Sequence, residues 1–261
     1  MLLNVQRDSV SKIILKDKRA VDRMRAAGRL LAGVFQDIPS MLVAGMSTLD
    51  LDALIELRMR KVNLEPSCIG YGGYRHATCI SVNDGVIHGV PSAQVILKDG
   101  DCVKVDVVGA YHGYCADMAR TYLLGSVVQE VYGMVNAAQQ ALDEGISLIK
   151  PGVKLGDVSA CIQRIVESAG YGVVRAYAGH GIGRNFHEAP EVPNYGKVGT
   201  GPTLLPGMAL AIEPMITQFS ADVIVAADGW TVRTRDGGLA VHVEDTVVVT
   251  ENGVEVLTRL S

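Results

Sequence analysis

The sequence has 261 residues, 48% of them hydrophobic, so it is long enough for one large domain or two small ones and can bury a substantial core. Its formal net charge of -4 argues against a basic surface for nucleic acid. No apolar run reaches the roughly 18 to 20 residues of a membrane span, and residues 1–16 lack the continuous apolar stretch and cleavage site of a secretory signal.

Four helices are predicted, in two pairs. Apolar residues recur at three- and four-residue spacing in each, as Met24, Leu31 and Val34 do in the first. A glycine-containing turn joins the two members of each pair. The predicted helices cover roughly residues 18–35 and 48–62, and then 128–148 and 155–169.

After each helix pair the chain becomes rich in valine and isoleucine, which indicates strands. Each half then carries a His-Gly dipeptide followed by two acids on strand-like segments, in the same order. The first acid of each half lies six residues after a glycine that opens a short apolar run. These residues are His88, Asp106 and Asp117 in the first half and His180, Glu213 and Glu244 in the second.

The repeated pattern indicates an ancestral duplication, although chance remains an alternative because His-Gly is a common dipeptide. Two α/β halves related by pseudo-symmetry would then face each other across one site. No Pro/Gly/Ser-rich linker separates them. We therefore predict a single domain over residues 1–261, with halves of about 1–126 and 127–261.

The four acids are informative because burying an unpaired carboxylate in an apolar strand costs several kcal/mol. Any one of them could point to solvent, since strand side chains alternate between faces. Together, four carboxylates would repel one another unless cations lay between them. Carboxylates with one imidazole suit divalent manganese, iron, cobalt or zinc. Two such ions can share bridging carboxylates and activate a bridging water.

The five cysteines are an odd number and include no Cys-x-x-Cys pair. This usage favours reduced thiols, and hence a cytoplasmic protein, over a disulfide framework. The cysteines are Cys68, Cys79, Cys102, Cys115 and Cys161.

Several segments carry a specific resemblance. Ser-Cys-Ile-Gly-Tyr stands at 67–71, His-Gly-Val-Pro at 88–91 and Ile-Glu-Pro-Met at 212–215. The longest, Gly-His-Gly-Ile-Gly-Arg-Asn-Phe-His-Glu, stands at 179–188. With the four acids, these segments make the sequence similar to the type I methionine aminopeptidases of the pita-bread metallopeptidase family, over about residues 18–258.

The resemblance implies an α/β (α+β) pita-bread fold, with two pseudo-symmetric halves around a central antiparallel sheet. It implies a metal-dependent aminopeptidase that removes the initiator methionine from nascent polypeptides through a metal-activated bridging water. The cofactor would be two divalent ions among cobalt, manganese, iron, zinc and nickel. The implied metal ligands are Asp106, Asp117, His180, Glu213 and Glu244, and the implied catalytic residues are His88, His187 and Glu213.

The resemblance also implies a methionine pocket, whose sulfur and aromatic groups suit a polarizable thioether. Each pocket residue taken alone could be an ordinary core residue. The implied substrate-binding residues are Cys68, Tyr71, Tyr74, Cys79, Phe186 and Trp230, with His88 and His187 holding the scissile amide.

Three positions depart from the family pattern. Gly72 stands where a histidine usually separates the two tyrosines, and His242 and Asp245 flank the last acid in place of glutamine and histidine. The Glu-Asp pair at 244–245 is closer to the proline-specific peptidases of the same fold. These changes leave the five ligands intact and bear on their surroundings, on metal preference and on turnover.

Three other functions stay open on the sequence. The chain could be an aminopeptidase with Xaa-Pro specificity, a catalytically inactive pita-bread protein that only binds a partner, or a creatine-type amidinohydrolase. The expected partners are the N-termini of nascent polypeptides, with the ribosome as one setting. We expect no nucleic-acid or membrane partner, and a monomer.

Overall fold

The computed structural model describes residues 12–260. Its four helices are α1 Lys18–Met41, α2 Thr48–Lys61, α3 Gln129–Ser147 and α4 Leu155–Ser168, so the four predicted helices are confirmed. Most of residues 1–16, on which the argument against a secretory signal depends, lies outside the described residues. Within residues 12–260, no helix combines the length and apolarity that crossing a membrane requires.

Helix α1 is longer than the sequence predicts, because it continues through Pro39 to Met41. A proline inside a helix removes the backbone bond to the carbonyl four residues earlier. Here that carbonyl belongs to Phe35, and the hydroxyl of Tyr122 donates to it at 3.4 Å. The helix then ends with the Leu42 amide bonded to the Ile38 carbonyl.

Side-chain caps fix where the first two helices begin. The Asp17 carboxylate accepts from the Ala20 amide at 2.7 Å, which satisfies one of the free donors at the start of α1. Ser47 and Asp50 form a reciprocal capping box at the start of α2, each binding the other's backbone amide.

The strands are short and numerous. A single 3₁₀ turn, Tyr71–Gly73, interrupts them. They are β1 Glu65–Pro66, β2 Cys79–Val82, β3 Gly85–Ile87, β4 Cys102–Tyr111, β5 Tyr114–Leu123, β6 Gly172–Val173, β7 Ala178–Gly181, β8 Glu188–Pro193, β9 Ala209–Ile212, β10 Met215–Thr217, β11 Val223–Val225, β12 Val232–Thr234, β13 Ala240–His242, β14 Glu244–Val249 and β15 Val254–Val256.

A nine-stranded sheet forms the centre of the molecule, in the order β1-β4-β5-β14-β9-β7-β8, with β2 on β4 and β15 on β14. Every pairing in it is antiparallel, as predicted. The pairing of β5 with β14 joins strands from before and after Ser126. We propose that the chain divides into two halves near that residue, so that this pairing joins the halves within the sheet. Two three-stranded sheets, β13-β10-β6 and β11-β12-β3, complete the fold.

Each helix pair packs against its own part of the central sheet. Leu31 of α1 and Ile55 of α2 share a buried cluster with Val105 of β4. Met134 of α3 shares another with Val247 of β14. Full burial of one such side chain contributes about 1.5–3 kcal/mol, so these contacts fix which face of each strand is turned toward the helices.

Gly28 is a sensitive point of this packing. A Cβ atom there would lie 2.2 Å from the backbone oxygen of Leu257, whereas one at Gly33, in the same helix, would meet open space. We expect Gly28→Ala to lower the free energy of unfolding by about 1–3 kcal/mol, because backbone cannot yield to the added methyl group. Gly33→Ala is the matched control and should raise it by about 0.5–1 kcal/mol through helix propensity. Urea denaturation of both variants measures the difference, and equal effects would contradict the close approach.

Candidate metal centre

The alternation of strand side chains brings the acids to one face of the central sheet. Val105 and Val107 of β4 pack toward α1 and α2, so Asp106 between them points to the opposite face. Met118 of β5 belongs to the same helix-facing cluster, which places Asp117 opposite. Ile212, the last residue of β9, packs in the α3–α4 cluster, and Glu213 follows it. Val247 of β14 packs in the same cluster. Glu244 lies three residues earlier in this strand and therefore points to the opposite face, with the other acids.

The acids and one histidine meet at the junction of β5, β14, β9 and β7. Ligand atoms of Asp117, His180 and Glu244 all lie within 4.8 Å of one another. The Nε2 atom of His180 is 3.8 Å from Oδ2 of Asp117 and 3.5 Å from Oε1 of Glu213. Asp106 of β4 pairs with Ala119 of β5, and Ala119 pairs on its other side with Glu244 of β14. The five residues predicted as ligands are therefore together in space.

Burial raises the pKa of all four carboxyl groups. For Asp106 the rise is to about 6, with burial as the main cause. Burial and then the Asp106 carboxyl raise the pKa of Asp117, burial raises that of Glu213, and burial and then Asp117 raise that of Glu244. The carboxylates destabilise one another in their charged forms. Bound cations would reverse that effect.

Orphaned polar atoms give independent evidence that a cation fits. Oδ1 of Asp117 and Oε1 of Glu244 are buried and accept no hydrogen bond from the described residues. Buried oxygens without a partner are rare in folded proteins, because leaving one unsatisfied costs about 1–3 kcal/mol. Burial also lowers the pKa of His180 to about 3, so its imidazole is neutral and available as a ligand near neutral pH.

The predicted pocket residues lie in two aromatic groups beside this cluster. The rings of Tyr71 and Phe186 are 4.5 Å apart, and those of Tyr74 and Trp230 are 5.0 Å apart. Cys68 and Phe186 pack against the same buried cluster, and Cys79 pairs with Asp106 across the strands. Of the six, Cys79 is placed directly beside an acid, and their role as a methionine pocket remains a prediction.

The two histidines predicted to contact substrate also lie at the site. The ring of His187 is 4.3 Å from that of His180, and its Nδ1 atom is 3.3 Å from the Tyr71 hydroxyl. His88 has a φ of 56°, a left-handed conformation that costs a residue with a side chain about 1–3 kcal/mol. Its ring meets that of Tyr177 at 5.9 Å. Burial, then His242 and His187, lower the pKa of His88 to about 4.

Three further residues contact the ligands, and two of them, Asn194 and Thr246, were not predicted from the sequence. Nδ2 of Asn194 donates to the backbone oxygen of Glu213 at 2.9 Å. The Thr246 hydroxyl accepts from the Asp117 amide and donates to the Asp117 carbonyl, both at 2.8 Å. Thr246 could have been recognised from the sequence, because it lies two residues after Glu244 on the same face of the strand. Nothing in the sequence marks Asn194. His242 was noted only as a departure, yet its Nε2 atom is 3.5 Å from Oε2 of Glu213.

Gly72 occupies a tight position in the 3₁₀ turn. Its φ is 55°, and a Cβ atom there would lie 3.3 Å from the outer ring atom Cη2 of Trp230. Glycine is the residue that adopts such a conformation at least cost. Because residue 72 has no side chain, it does not cover the edge of the Trp230 ring.

Asp245 faces away from the acids, as strand alternation predicts. It is 0% exposed. Its Oδ1 accepts from Arg120 Nη2 at 2.7 Å and from the Thr258 hydroxyl at 2.7 Å. Its Oδ2 accepts from Arg259 Nε at 2.8 Å. Asp245 is thus a charge partner on the helix-facing side of the sheet.

Residues 22–251 match metallopeptidase family M24. The methionine aminopeptidase of Clostridium acetobutylicum is 43% identical over 246 residues, which cover 94% of this chain and 98% of that protein. The Bacillus subtilis protein called methionine aminopeptidase 1 is 40% identical over 248 residues, or 95% and 100% of the two chains. The chain belongs to metallopeptidase family M24.

Solved structures agree with this assignment. The methionine aminopeptidase from Thermotoga maritima superposes with a TM-score of 0.93 at 42% identity, covering 95% of this chain and all (100%) of that one. The prolidase from Pyrococcus furiosus superposes at 0.77 with 23% identity, and this chain covers 66% of it, which shows the fold alone. The predicted pita-bread fold and the predicted metallopeptidase class are confirmed.

Removing the charge of Asp245 separates its structural contribution from metal binding. We expect Asp245→Asn to lower the free energy of unfolding by about 2 kcal/mol. That is less than the roughly 3–5 kcal/mol of a fully buried pair, because the Arg259 side chain is 39% exposed and solvent screens it. The metal content should not change.

Asp143→Asn is the matched control, because Asp143 binds the same Arg259 at 2.5 Å from an exposed position. It should cost about 0.5 kcal/mol or less. Urea denaturation and elemental analysis make the measurement. Loss of metal from Asp245→Asn would place Asp245 among the ligands and contradict the observed orientation.

Proposed function

We propose that this protein is a methionine aminopeptidase that hydrolyses the initiator methionine from the N-terminus of nascent polypeptides. One observation carries the proposal: a buried cluster of four carboxylates and an imidazole directly borders a pocket of sulfur and aromatic groups. The ring of His180, in the cluster, is 4.3 Å from that of His187. The Nδ1 atom of His187 is 3.3 Å from the hydroxyl of Tyr71, one of the proposed pocket residues. Two relatives at 43% and 40% identity, both named as methionine aminopeptidases, support the same activity.

The cluster would hold two divalent ions, from among cobalt, manganese, iron, zinc and nickel. When bound, such ions lower the pKa of a shared water and polarise the scissile carbonyl. The five ligands proposed are Asp106, Asp117, His180, Glu213 and Glu244. This set exceeds what one ion needs from the protein, and Asp117, His180 and Glu244 offer ligand atoms within 4.8 Å of one another.

Three residues would move or hold protons during hydrolysis. Glu213 accepts the proton of the attacking water, since its carboxylate lies within the cluster and is restored to its charged form by cations. His187 and His88 donate hydrogen bonds to the scissile amide and to the oxyanion that develops there. Burial lowers the pKa of His187, so it donates as a neutral imidazole.

The pocket would select methionine at the first position. Sulfur–aromatic contacts contribute about 0.3–1.5 kcal/mol each, and Tyr71, Phe186, Tyr74 and Trp230 offer rings on two sides. Cys68 and Cys79 add polarizable sulfur. A charged side chain would find no counter-ion among these six residues.

The observed position of Asp245 weakens the Xaa-Pro alternative. The Glu-Asp pair was the feature closest to proline-specific peptidases, but Asp245 binds Arg120 and Arg259 on the side of the sheet away from the site. The likeness to a prolidase, at 23% identity, extends to the fold only. An inactive binding protein is also disfavoured, because all five ligand positions are occupied by residues that bind metal.

We further propose that the substrates are met in the cytoplasm, at the ribosome or after release, and that the protein acts as a monomer. All five cysteines are free thiols, which is the usual state in a reducing compartment.

The proposed activity can be tested with a metal-stripped sample. We expect protein treated with chelator to be inactive on a Met-Ala-Ser peptide and to recover when divalent manganese or cobalt is added, because the ions activate the attacking water. Released methionine and bound metal are measured together. Peptides starting Leu-Ala, Lys-Ala or with an Xaa-Pro bond should react at least about tenfold more slowly. Full activity without metal, or equal rates across the peptides, would refute the assignment.

His187 provides a second test, directed at catalysis. We expect His187→Ala to lower kcat about 10²- to 10³-fold, as removal of one oxyanion donor does elsewhere, with metal content unchanged. Tyr71→Phe is the control, because it removes only the hydroxyl that lies 3.3 Å from the His187 ring, and its effect on kcat should be much smaller. If His187→Ala instead releases metal, His187 belongs to the ligand set.

A further inference from the structure

His242 is a buried histidine with unused hydrogen-bonding groups. It ends β13 and pairs with Met215 of β10, and it is 1% exposed. Neither of its ring nitrogens has a hydrogen-bond partner within the described part of the chain. An unpartnered buried polar group costs about 1–3 kcal/mol, so packing alone does not account for an imidazole at this position.

One acceptor close to this imidazole belongs to a proposed metal ligand. Its Nε2 atom is 3.5 Å from Oε2 of Glu213, while Oε1 of Glu213 is 3.5 Å from Nε2 of His180. The Glu213 carboxylate therefore lies between two imidazoles. One of its oxygens faces a fellow ligand, and the other faces a residue outside the ligand set.

Glu213 accepts a hydrogen bond at its backbone rather than at its carboxylate. Asn194 donates to the Glu213 carbonyl at 2.9 Å, which fixes the main chain but not the carboxylate. The nearby cations Lys104 and Arg120 are engaged elsewhere: Lys104 donates to the carbonyls of Asn83 and Cys102, and Arg120 binds Asp245. His242 is thus the donor left to orient the side chain.

We propose that His242 is a positioning residue for Glu213. Its Nε2–H group donates to Oε2 and thereby keeps Oε1 directed toward the ion that His180 also binds. The inference rests on the metal centre of the proposed function, and it concerns how the ligand is held rather than which bond is hydrolysed. A carboxylate held by one oxygen loses less freedom when the ion binds, which strengthens metal binding.

Metal titration of two variants tests the proposal. In His242→Leu the donor is lost, and we expect the dissociation constant for Mn²⁺, measured by calorimetry on chelator-stripped protein, to rise about 10- to 100-fold. In His242→Gln the side-chain amide can donate in the same direction, and most of the affinity should be retained. The rescue by glutamine is the readout that a space-filling role would not produce.

Thr217→Val is the matched control. It removes another buried polar atom without a partner among residues 12–260, in a strand of the same small sheet, and should leave Mn²⁺ binding unchanged. Circular dichroism and urea denaturation of the metal-free proteins check folding. If His242→Leu does not fold, His242→Phe, which is closer to imidazole in shape, replaces it.

The outcomes separate this proposal from the proposed function. Wild-type affinity in the folded Leu or Phe variant, or equal losses in the Leu and Gln variants, would overturn the role of His242. Failure of the wild-type protein to bind Mn²⁺ would overturn it together with the metal centre. Mn²⁺ binding with the expected variant pattern, but no cleavage of Met-Ala-Ser, would support the role of His242 and reject the proposed peptidase activity.

Discussion

Repulsion among four carboxylates is the constraint on which the site depends. Asp106, Asp117, Glu213 and Glu244 come from strands that pair side by side or from a strand end, so the backbone ladder holds them together whether or not their charges are compensated. The helix-facing clusters contribute the free energy that makes this possible, since each buried aliphatic side chain adds about 1.5–3 kcal/mol. Packing on the apolar face of the sheet thus stabilises the close approach of the carboxylates on the polar face. Their mutual repulsion destabilises that approach, and bound divalent ions would remove the repulsion.

The two faces of β14 carry neighbouring buried acids with different roles. Glu244 belongs to the metal cluster, whereas the next residue, Asp245, binds two arginines and the Thr258 hydroxyl on the other side. Both acids are buried, but one is satisfied by residues of the chain and the other retains an oxygen without a partner. Buried acids in one strand can therefore be sorted into structural and ligand groups by asking which oxygens remain unsatisfied.

Local patterns in the sequence predicted most of what is local in the structure. Helices followed from apolar spacing, and strands followed from valine- and isoleucine-rich runs, because both depend on residues close in sequence. The extension of α1 to Met41 was not predictable in this way, since it relies on Tyr122 donating to the Phe35 carbonyl from 87 residues away. Asn194 was missed for the same reason. Its role depends on the approach of the segment after β8 to the end of β9, which no periodicity encodes.

The three departures from the family pattern have different physical meanings in the structure. Asp245 lies on the packing side and is compensated there, so it does not alter the charge that faces the ions directly. Gly72 has a left-handed backbone and leaves the edge of Trp230 uncovered, which places its effect on the pocket. His242 alone contacts a proposed ligand. A sequence comparison would weigh the three equally, but burial and contact distances assign them to stability, to substrate fit and to the surroundings of Glu213, so only His242 lies close enough to a proposed ligand to act on it directly.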